Sequence, residues 1–306
     1  MTGSSIEAPT ETDIAVIRID YEAGTSNPAR VFHAMAKLID ALQTTDRDFV
    51  ASLGVELFPV LVLERVEASS IKAIVRTVLH QVDDDALRNL EWRPLVGQYL
   101  VRAKHAMLRW LADRDTIENR AQLDELRRVV AAELPSPVPG LLQLPAAPSA
   151  ELLLRDVQGI SEALHELGPH DAATLESADR ATPFNKKLNL SSSRVEDLLT
   201  EERLTAESEL TLLIKKPDYL GRSRWEFRYD QHVIEARIDD EDWLATFREG
   251  TIVLRPGDAL RALVHSEVNR GFEGNVVSTH YTIVRVLGVV HAVEGDQGFF
   301  GVDFEG

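Results

Sequence analysis

The strictest pattern in this 306-residue chain is the alternation of aromatic and charged residues in Trp225–Tyr229, WEFRY. Such a period of two places the aromatic side chains on one side of an extended chain and the charged ones on the other, as in a half-buried β-strand. Only Asp230 and Gln231 separate this run from a second alternating run, His232–Ile238. The stretch therefore predicts a β-hairpin whose three aromatic side chains lie in a core.

The chain from Glu209 onward keeps this β character. The predicted strands are Leu210–Lys215, Arg224–Tyr229, Val233–Ile238, Ala259–Val268 and Val276–Ala292, with one helical turn over Asp239–Arg248. The acidic residues at the start of that turn suit the positive end of a helix better than a cation site. The pattern predicts a small antiparallel β-barrel or sandwich-like domain over residues 207–306.

The first part of the chain predicts a helix-rich α/β domain over residues 13–134. The apolar spacing predicts strands at Ile14–Glu22 and Val55–Val66 and helices at Pro28–Asp46, Ser70–Val82, Leu95–Leu111 and Asn119–Leu134. Asn27 before Pro28, at the first of these helices, is a combination that favours a helix start. The fold class predicted for the whole chain is thus α+β.

Residues 135–206 predict a proline-rich linker followed by middle helices. Pro135–Pro148 contains five of the 13 prolines of the chain, and proline-dense segments act as extended spacers. The segments that follow are predicted as a helix at Ser149–Leu167, a loop at Asp171–Pro183, a short strand at Lys186–Leu190 and a helix from Ser193 toward Glu202.

Composition excludes several classes of chemistry. The chain has no cysteine, so disulfides, thiolate metal sites and thiol nucleophiles are impossible. Its formal net charge of −17 opposes non-specific binding to phosphate backbones. No apolar run approaches the roughly 20 residues of a membrane helix, and the polar N-terminus lacks signal-peptide features, so a cytoplasmic protein without membrane contact is expected.

The basic residues around the predicted hairpin are the candidate binding site. They are Lys215, Lys216, Arg222, Arg224 and Arg228. Basic residues interleaved with aromatic rings can bind single-stranded nucleic acid when the rings face outward. Alternation places rings and charges on opposite faces, so the more economical interpretation is a core of aromatics with solvated arginines outside.

Catalytic patterns are weaker. Asp218 with Glu226 and Arg228 has the spacing of a metal-dependent nuclease signature, but arginine occupies the place of the assisting lysine and cannot lose its proton. Ser191–Ser193 lacks the glycines of a nucleophile elbow. No glycine-rich phosphate loop or metal-ligand spacing occurs, so neither a cofactor nor a metal is expected.

Four stretches together resemble a group of bacterial proteins of uncharacterised activity, some members of which are associated with anti-phage or mobile-element loci. They are Ile19–Leu42, Val62–Val75 (VLERVEASSIKAIV), Gly97–Lys104 (GQYLVRAK) and Lys215–Ile238 (KKPDYLGRSRWEFRYDQHVIEARI). The resemblance implies a bacterial, cytoplasmic protein with an accessory or sensing role, and it carries over no catalytic residue.

The functional expectation is a non-catalytic binding or assembly protein, with a protein partner or self-association, in a bacterial defence or stress complex. A nucleic-acid-binding protein that uses the basic hairpin patch is the alternative. A metal-dependent hydrolase using Asp218 and Glu226 ranks third.

Overall fold

A computed structural model describes residues 14–22, 27, 29–54, 57–67, 71–81, 92–134, 147–219 and 223–292. The chain divides into two compact units, Met1–Leu198 and Leu199–Gly306. The elements up to this division are β1 (Ile14–Asp20), α1 (Ala29–Ser52), β2 (Leu57–Glu67), β3 (Ile71–Gln81), α2 (Trp92–Leu111), α3 (Arg120–Ala131), α4 (Ala150–Leu164), β4 (Ala172–Glu176), β5 (Ala181–Pro183) and α5 (Ser192–Leu199). The elements after it are β6 (Thr200–Lys216), β7 (Trp225–Tyr229), β8 (His232–Ile238), α6 (Glu241–Arg248), β9 (Ala259–Gly271) and β10 (Val276–Val290).

The sheet of the first unit is antiparallel throughout, in the order β2-β3-β1-β4-β5. Strand β1 is central because its alternate residues are apolar and both of its edges are paired. Ile17 lies opposite Ala73 of β3 on one side and Leu175 of β4 on the other, and all three are buried. The core of this unit therefore joins segments that are far apart in the sequence.

Side-chain caps begin two of the helices. The Asn119 side chain accepts a hydrogen bond from the N–H of Gln122 at the start of α3, and Ser149 accepts one from Leu152 at the start of α4. Such caps satisfy backbone donors that have no partner within the helix. Helices α1 and α4 pack against each other through buried apolar residues. Within the described part, no helix is long and apolar enough to cross a membrane.

The five strands of the second unit pair in the order β10-β8-β7-β6-β9, and β9 pairs again with β10. Strand alternation fills the interior with Leu212, Trp225, Phe227, Leu260 and Ile283. The contact between β8 and β10 is short and parallel, whereas the other pairings are antiparallel. The prediction of a purely antiparallel domain is therefore wrong at this contact.

Strand β10 bends around the core because its pairing with β9 shifts register three times. The second and third shifts leave Val284 and Leu287 exposed between core residues. A bulge of this kind inserts one residue and increases local twist. Asp240 fixes the bend to α6, since its carboxylate accepts hydrogen bonds from the N–H groups of Trp243, 3.1 Å away, and Val286, 2.9 Å away.

The predicted α+β class is confirmed at the level of a mixed α and β protein whose helices lie mostly in the N-terminal part. The helix predicted at Ser70–Val82 is wrong, because this segment is β3. Its alternate residues Ile71, Ala73 and Val75 are buried, and a strand on each side pairs with it. β-Branched residues suit that position, and tertiary pairing overrides the helical spacing.

Two further differences concern the middle of the chain. The predicted loop Asp171–Pro183 contains β4 and β5, which extend the first sheet, and Lys186–Leu190 is a turn and irregular segment instead of a strand. The division at Leu198 places α4, β4 and β5 in the first unit. Residues 135–146 of the proline-rich segment lie outside the described part.

The hairpin between β7 and β8 has the predicted two-residue turn, and both turn residues have positive φ, 45° at Asp230 and 65° at Gln231. Glycine adopts this conformation without the steric cost of a side chain. We expect Gln231→Gly to stabilise the chain by about 0.5–1 kcal/mol in urea unfolding. Gln231→Val, which disfavours positive φ, is expected to destabilise it, and equal stability of the two variants would contradict the assigned turn.

Candidate binding surface

The outer side of β6, β7 and β8 carries a row of three exposed side chains. Leu213 of β6 lies directly opposite Arg228 of β7, and Arg228 lies opposite Val233 of β8. Directly opposite residues of antiparallel strands project to the same face with their Cβ atoms about 5 Å apart. We call Leu213, Arg228 and Val233 the outer row.

The outer row combines an unpaired charge with apolar surface. Leu213 is 37% exposed and Val233 is 50% exposed. Arg228 is exposed, and its guanidinium has neither a hydrogen bond nor an ion pair with any described residue. The same holds for Arg224, the residue before β7. Five guanidinium N–H donors on a fixed strand are thus free for another molecule.

The two predicted lysines are not free in the same way. Lys215 and Lys216 place their Nζ atoms 3.2 and 3.5 Å from the two carboxylate oxygens of Glu226. The hydrogen bond from Lys215, with the nearby positive charges, lowers the pKa of Glu226. Both lysines are exposed, so these pairs contribute little to stability. Arg222, the fifth predicted site residue, lies outside the described part of the chain.

The aromatic side chains of β7 have two different environments. Trp225 and Phe227 are buried as predicted, and Trp225 contacts Phe247 of α6 at a ring-centroid distance of 5.2 Å. Tyr229 is 37% exposed, so the prediction that all three rings enter the core is wrong. Tyr229 is exposed because it is the last residue before the turn, where the strand extends beyond the core.

The carboxylates of the nuclease-like pattern make local contacts. The Asp218 carboxylate accepts hydrogen bonds from the backbone N–H and the hydroxyl of Ser223, and Glu226 is bound by the two lysines. No group of three or more histidine, aspartate or glutamate side chains among the described residues could hold a metal ion. The arrangement of these two residues thus provides no support for metal-assisted hydrolysis.

A serine–histidine pair in the first unit was not anticipated from the sequence. The ring of His105 on α2 is buried, with Nε2 3.1 Å from Ser177 Oγ and Nδ1 2.7 Å from Thr182 Oγ1. Burial, followed by the positive charges of Arg180 and other neighbours, lowers the pKa of His105 to about 4. Such an imidazole stays neutral at pH 7 but accepts a proton poorly, so it is a weak general base.

The hydrogen bonds around Ser177 indicate a structural role for this pair. Ser177 has two other acceptors within reach, Asp179 Oδ1 at 3.2 Å and the Arg180 carbonyl at 3.4 Å. The Ser177 hydroxyl can therefore donate its proton to one of these acceptors and not to the imidazole. His105 Nε2–H can then donate to the serine oxygen, and the Thr182 hydroxyl can donate to His105 Nδ1. This network ties the β4–β5 connection to α2.

An open polar cleft of about 790 Å³ is the third feature, also in the first unit. Its lining residues are Asp115, Thr116, Lys187, Asn189, Ser191, Ser193, Arg194 and Asp197. Arg194 already donates from Nε to the Ile117 carbonyl, at 3.2 Å, and Ser191 accepts from the Arg194 N–H. The cleft carries both signs of charge in equal number and favours no single class of ligand.

Comparison with known proteins gives no relative: no family model matches the chain, and no curated protein or solved structure is significantly similar to it. Among the three features above, the outer row is the one that leaves a charged group without a partner beside exposed apolar side chains.

Proposed function

We propose that this chain is a non-catalytic binding or assembly protein and that the outer row is its contact surface for a protein partner. The observation that carries the proposal is the unpaired guanidinium of Arg228 between two exposed aliphatic side chains. Arginine is enriched among the residues that supply most of the binding energy of protein interfaces, and the fully buried core of an interface is more apolar than its rim. Isolated exposed aliphatic residues would be unremarkable, but here they flank a free cation in register.

The chemistry of the row also defines the partner. A carboxylate can receive two parallel N–H bonds from a guanidinium, and an aliphatic side chain beside it would cover Leu213 and Val233. The partner we propose is therefore a protein segment that presents an acidic residue next to apolar ones. An accessory or sensing role in a bacterial defence or stress complex is part of this proposal, and its only support is the resemblance described above.

The first test is the solution mass of the chain isolated from its native cells. We expect the wild type to migrate as a complex well above the 34.1 kDa of the single chain. Arg228→Glu should migrate as the single chain, because it replaces the free cation with a charge that repels an acidic partner. Arg285→Glu is the matched control, since Arg285 is an exposed arginine on β10 in the same unit but outside the row. A wild type at 34.1 kDa, or equal loss of the complex in both variants, would contradict the proposal.

A nucleic-acid-binding function is the second candidate, and the exposure of Tyr229 favours it. A single-stranded base could stack on this exposed ring at the end of β7, and Arg228, whose side chain lies on the other face of the strand, could bind a phosphate of the same strand. Gel-shift titration with a single-stranded DNA of about 20 nucleotides at low salt tests it. Binding that is weakened by Tyr229→Ala and by Arg228→Ala would favour this function over a protein contact. Absence of binding at low salt would remove it.

A further inference from the structure

Helices α1 and α4 approach each other closely near the middle of α4. Gly159 faces Ala41, and a Cβ atom at residue 159 would lie 3.6 Å from the Ala41 Cβ, which is ordinary van der Waals contact. Small residues at such a crossing allow two helix backbones to come together. The next position of α4 toward its N-terminus on this face is Asp156, three residues earlier.

Asp156 is a carboxyl group without a partner in this crossing. The residue is 2% exposed, and neither side-chain oxygen has a hydrogen-bond partner in the described structure. The neighbouring Thr45 hydroxyl donates to the Ala41 carbonyl, 3.0 Å away, and the lowering that it exerts on the pKa of Asp156 does not offset the effect of burial. A buried, unpaired carboxylate is strongly unfavourable, whereas the neutral acid is tolerated.

We propose that the contact between α1 and α4 depends on a proton, so that it is tight while Asp156 carries its acidic proton and loosens when the carboxyl ionises. Loosening relieves the carboxylate because separation of the two helices admits water to it. This inference is independent of the outer row, which lies in the other unit.

The charged groups near Asp156 also oppose its ionisation in the closed form. Asp48 and Asp46 of α1 are the acidic groups that act on it, and Asp46 is itself neutralised by Lys104 of α2. Arg155 of α4 acts on Asp48, and burial raises the pKa of Asp48 as well. No cation makes a direct contact with Asp156 among the described residues. Burial first, and then the repulsion by Asp48, raise the pKa of Asp156 to about 8.

The direction of the pH effect follows from these values. In the separated helices a hydrated aspartate ionises at a pH of about 4. Between that value and about 8 the open form holds fewer protons than the closed form, so each rise in pH favours opening, by up to tenfold per pH unit. Above about 8 both forms are ionised and the effect levels off.

Hydrogen exchange of the full chain, followed by mass spectrometry, tests the proposal. The rates for α1 and α4 peptides are compared between wild type and Asp156→Asn at each pH from 5 to 9, which cancels the intrinsic pH dependence of exchange. We expect the ratio of wild-type to variant rates to rise at least tenfold up to about pH 8 and then to level off. Peptides of β9, in the other unit, should show a constant ratio.

Two more variants make the outcome decisive. Asp48→Asn removes the acidic group that, after burial, raises the pKa of Asp156 most. It should reduce the total rise in the ratio of exchange rates and move the plateau of that ratio to lower pH. Asp156→Leu has a similar volume and no proton to lose, so it should match Asp156→Asn if the asparagine variant folds poorly. A ratio for α1 and α4 that stays constant with pH in folded protein would overturn the inference.

Discussion

Lys104→Met is expected to destabilise the chain by about 3–5 kcal/mol, the cost typical of leaving one member of a buried ion pair alone. Lys104 Nζ lies 2.6 Å from Asp46 Oδ1, and both side chains are buried. Besides this ion pair, Asp46 accepts a hydrogen bond at Oδ2 from the Thr77 hydroxyl, 3.1 Å away. Methionine fills the space of the lysine stem, so the loss arises from the unpaired carboxylate and not from a cavity.

A double-mutant cycle separates this effect from simple loss of packing. Asp46→Asn together with Lys104→Met removes both charges, so it should recover most of the stability that the single lysine variant loses. Urea unfolding of the four proteins gives the coupling directly. If the double variant is less stable than the wild type by the sum of the two single effects, Lys104 and Asp46 do not stabilise each other, and the assigned ion pair is wrong.

Asp171→Ala is the second substitution with a large expected effect, again about 3–5 kcal/mol. The Asp171 carboxylate is buried and accepts four hydrogen bonds. Two come from the Arg30 guanidinium, at 2.9 and 3.0 Å, and two from the backbone N–H groups of Glu22, at 3.0 Å, and Gly168, at 2.8 Å. It therefore joins the residues after β1, the start of α1 and the connection between α4 and β4.

The pH dependence of stability identifies the charge as the cause. Burial opposes ionisation of Asp171, but the bonds from Arg30, Glu22 and Gly168 outweigh it and lower the pKa to about 2. A carboxyl whose pKa is lowered on folding stabilises the protein above its unfolded pKa and loses that contribution as pH falls through the folded value. We expect the stability difference between wild type and Asp171→Asn to shrink between pH 5 and 2 in urea unfolding.

The matched control for Asp171 is Asp20 of β1, whose exposed carboxylate pairs with Arg18, 3.0 Å away. Asp20→Ala should change stability by less than about 1 kcal/mol, since exposed pairs contribute little. Equal effects of the two alanine variants would show that burial and the four hydrogen bonds of Asp171 have no special importance.

The sequence predicts the second unit better than the first, for a physical reason. Strands β7 and β8 are neighbours in sequence, and their alternation and two-residue turn are local signals. Strand β3 is sandwiched between β2 and β1, so its burial on the sheet is decided by partners that local spacing does not reveal. The polar residues around β4 resemble a loop until Leu175 is placed opposite Ile17.

The functional residues likewise include some that local sequence patterns indicate and others whose contacts only the fold reveals. The free Arg228 and the paired Lys215 look alike in the sequence, and only the register of β6 on β7 separates them. The sequence gives one local sign that Asp156 and Lys104 are special. Each is a charged residue at a position that helical spacing places on an apolar, buried face, which is unusual. Their partners come from other elements and are visible only in the fold.

Site-specific cross-linking tests the binding surface most directly. A photo-reactive amino acid is placed at Val233, in the outer row, or at Val253, a more exposed valine of the same unit outside the row, and each protein is irradiated in its native cells. The account predicts one discrete protein adduct from position 233 that is lost with Arg228→Glu and retained with Arg285→Glu. Adducts of equal yield from both positions, or an adduct from position 233 that Arg228→Glu leaves unchanged, would contradict it.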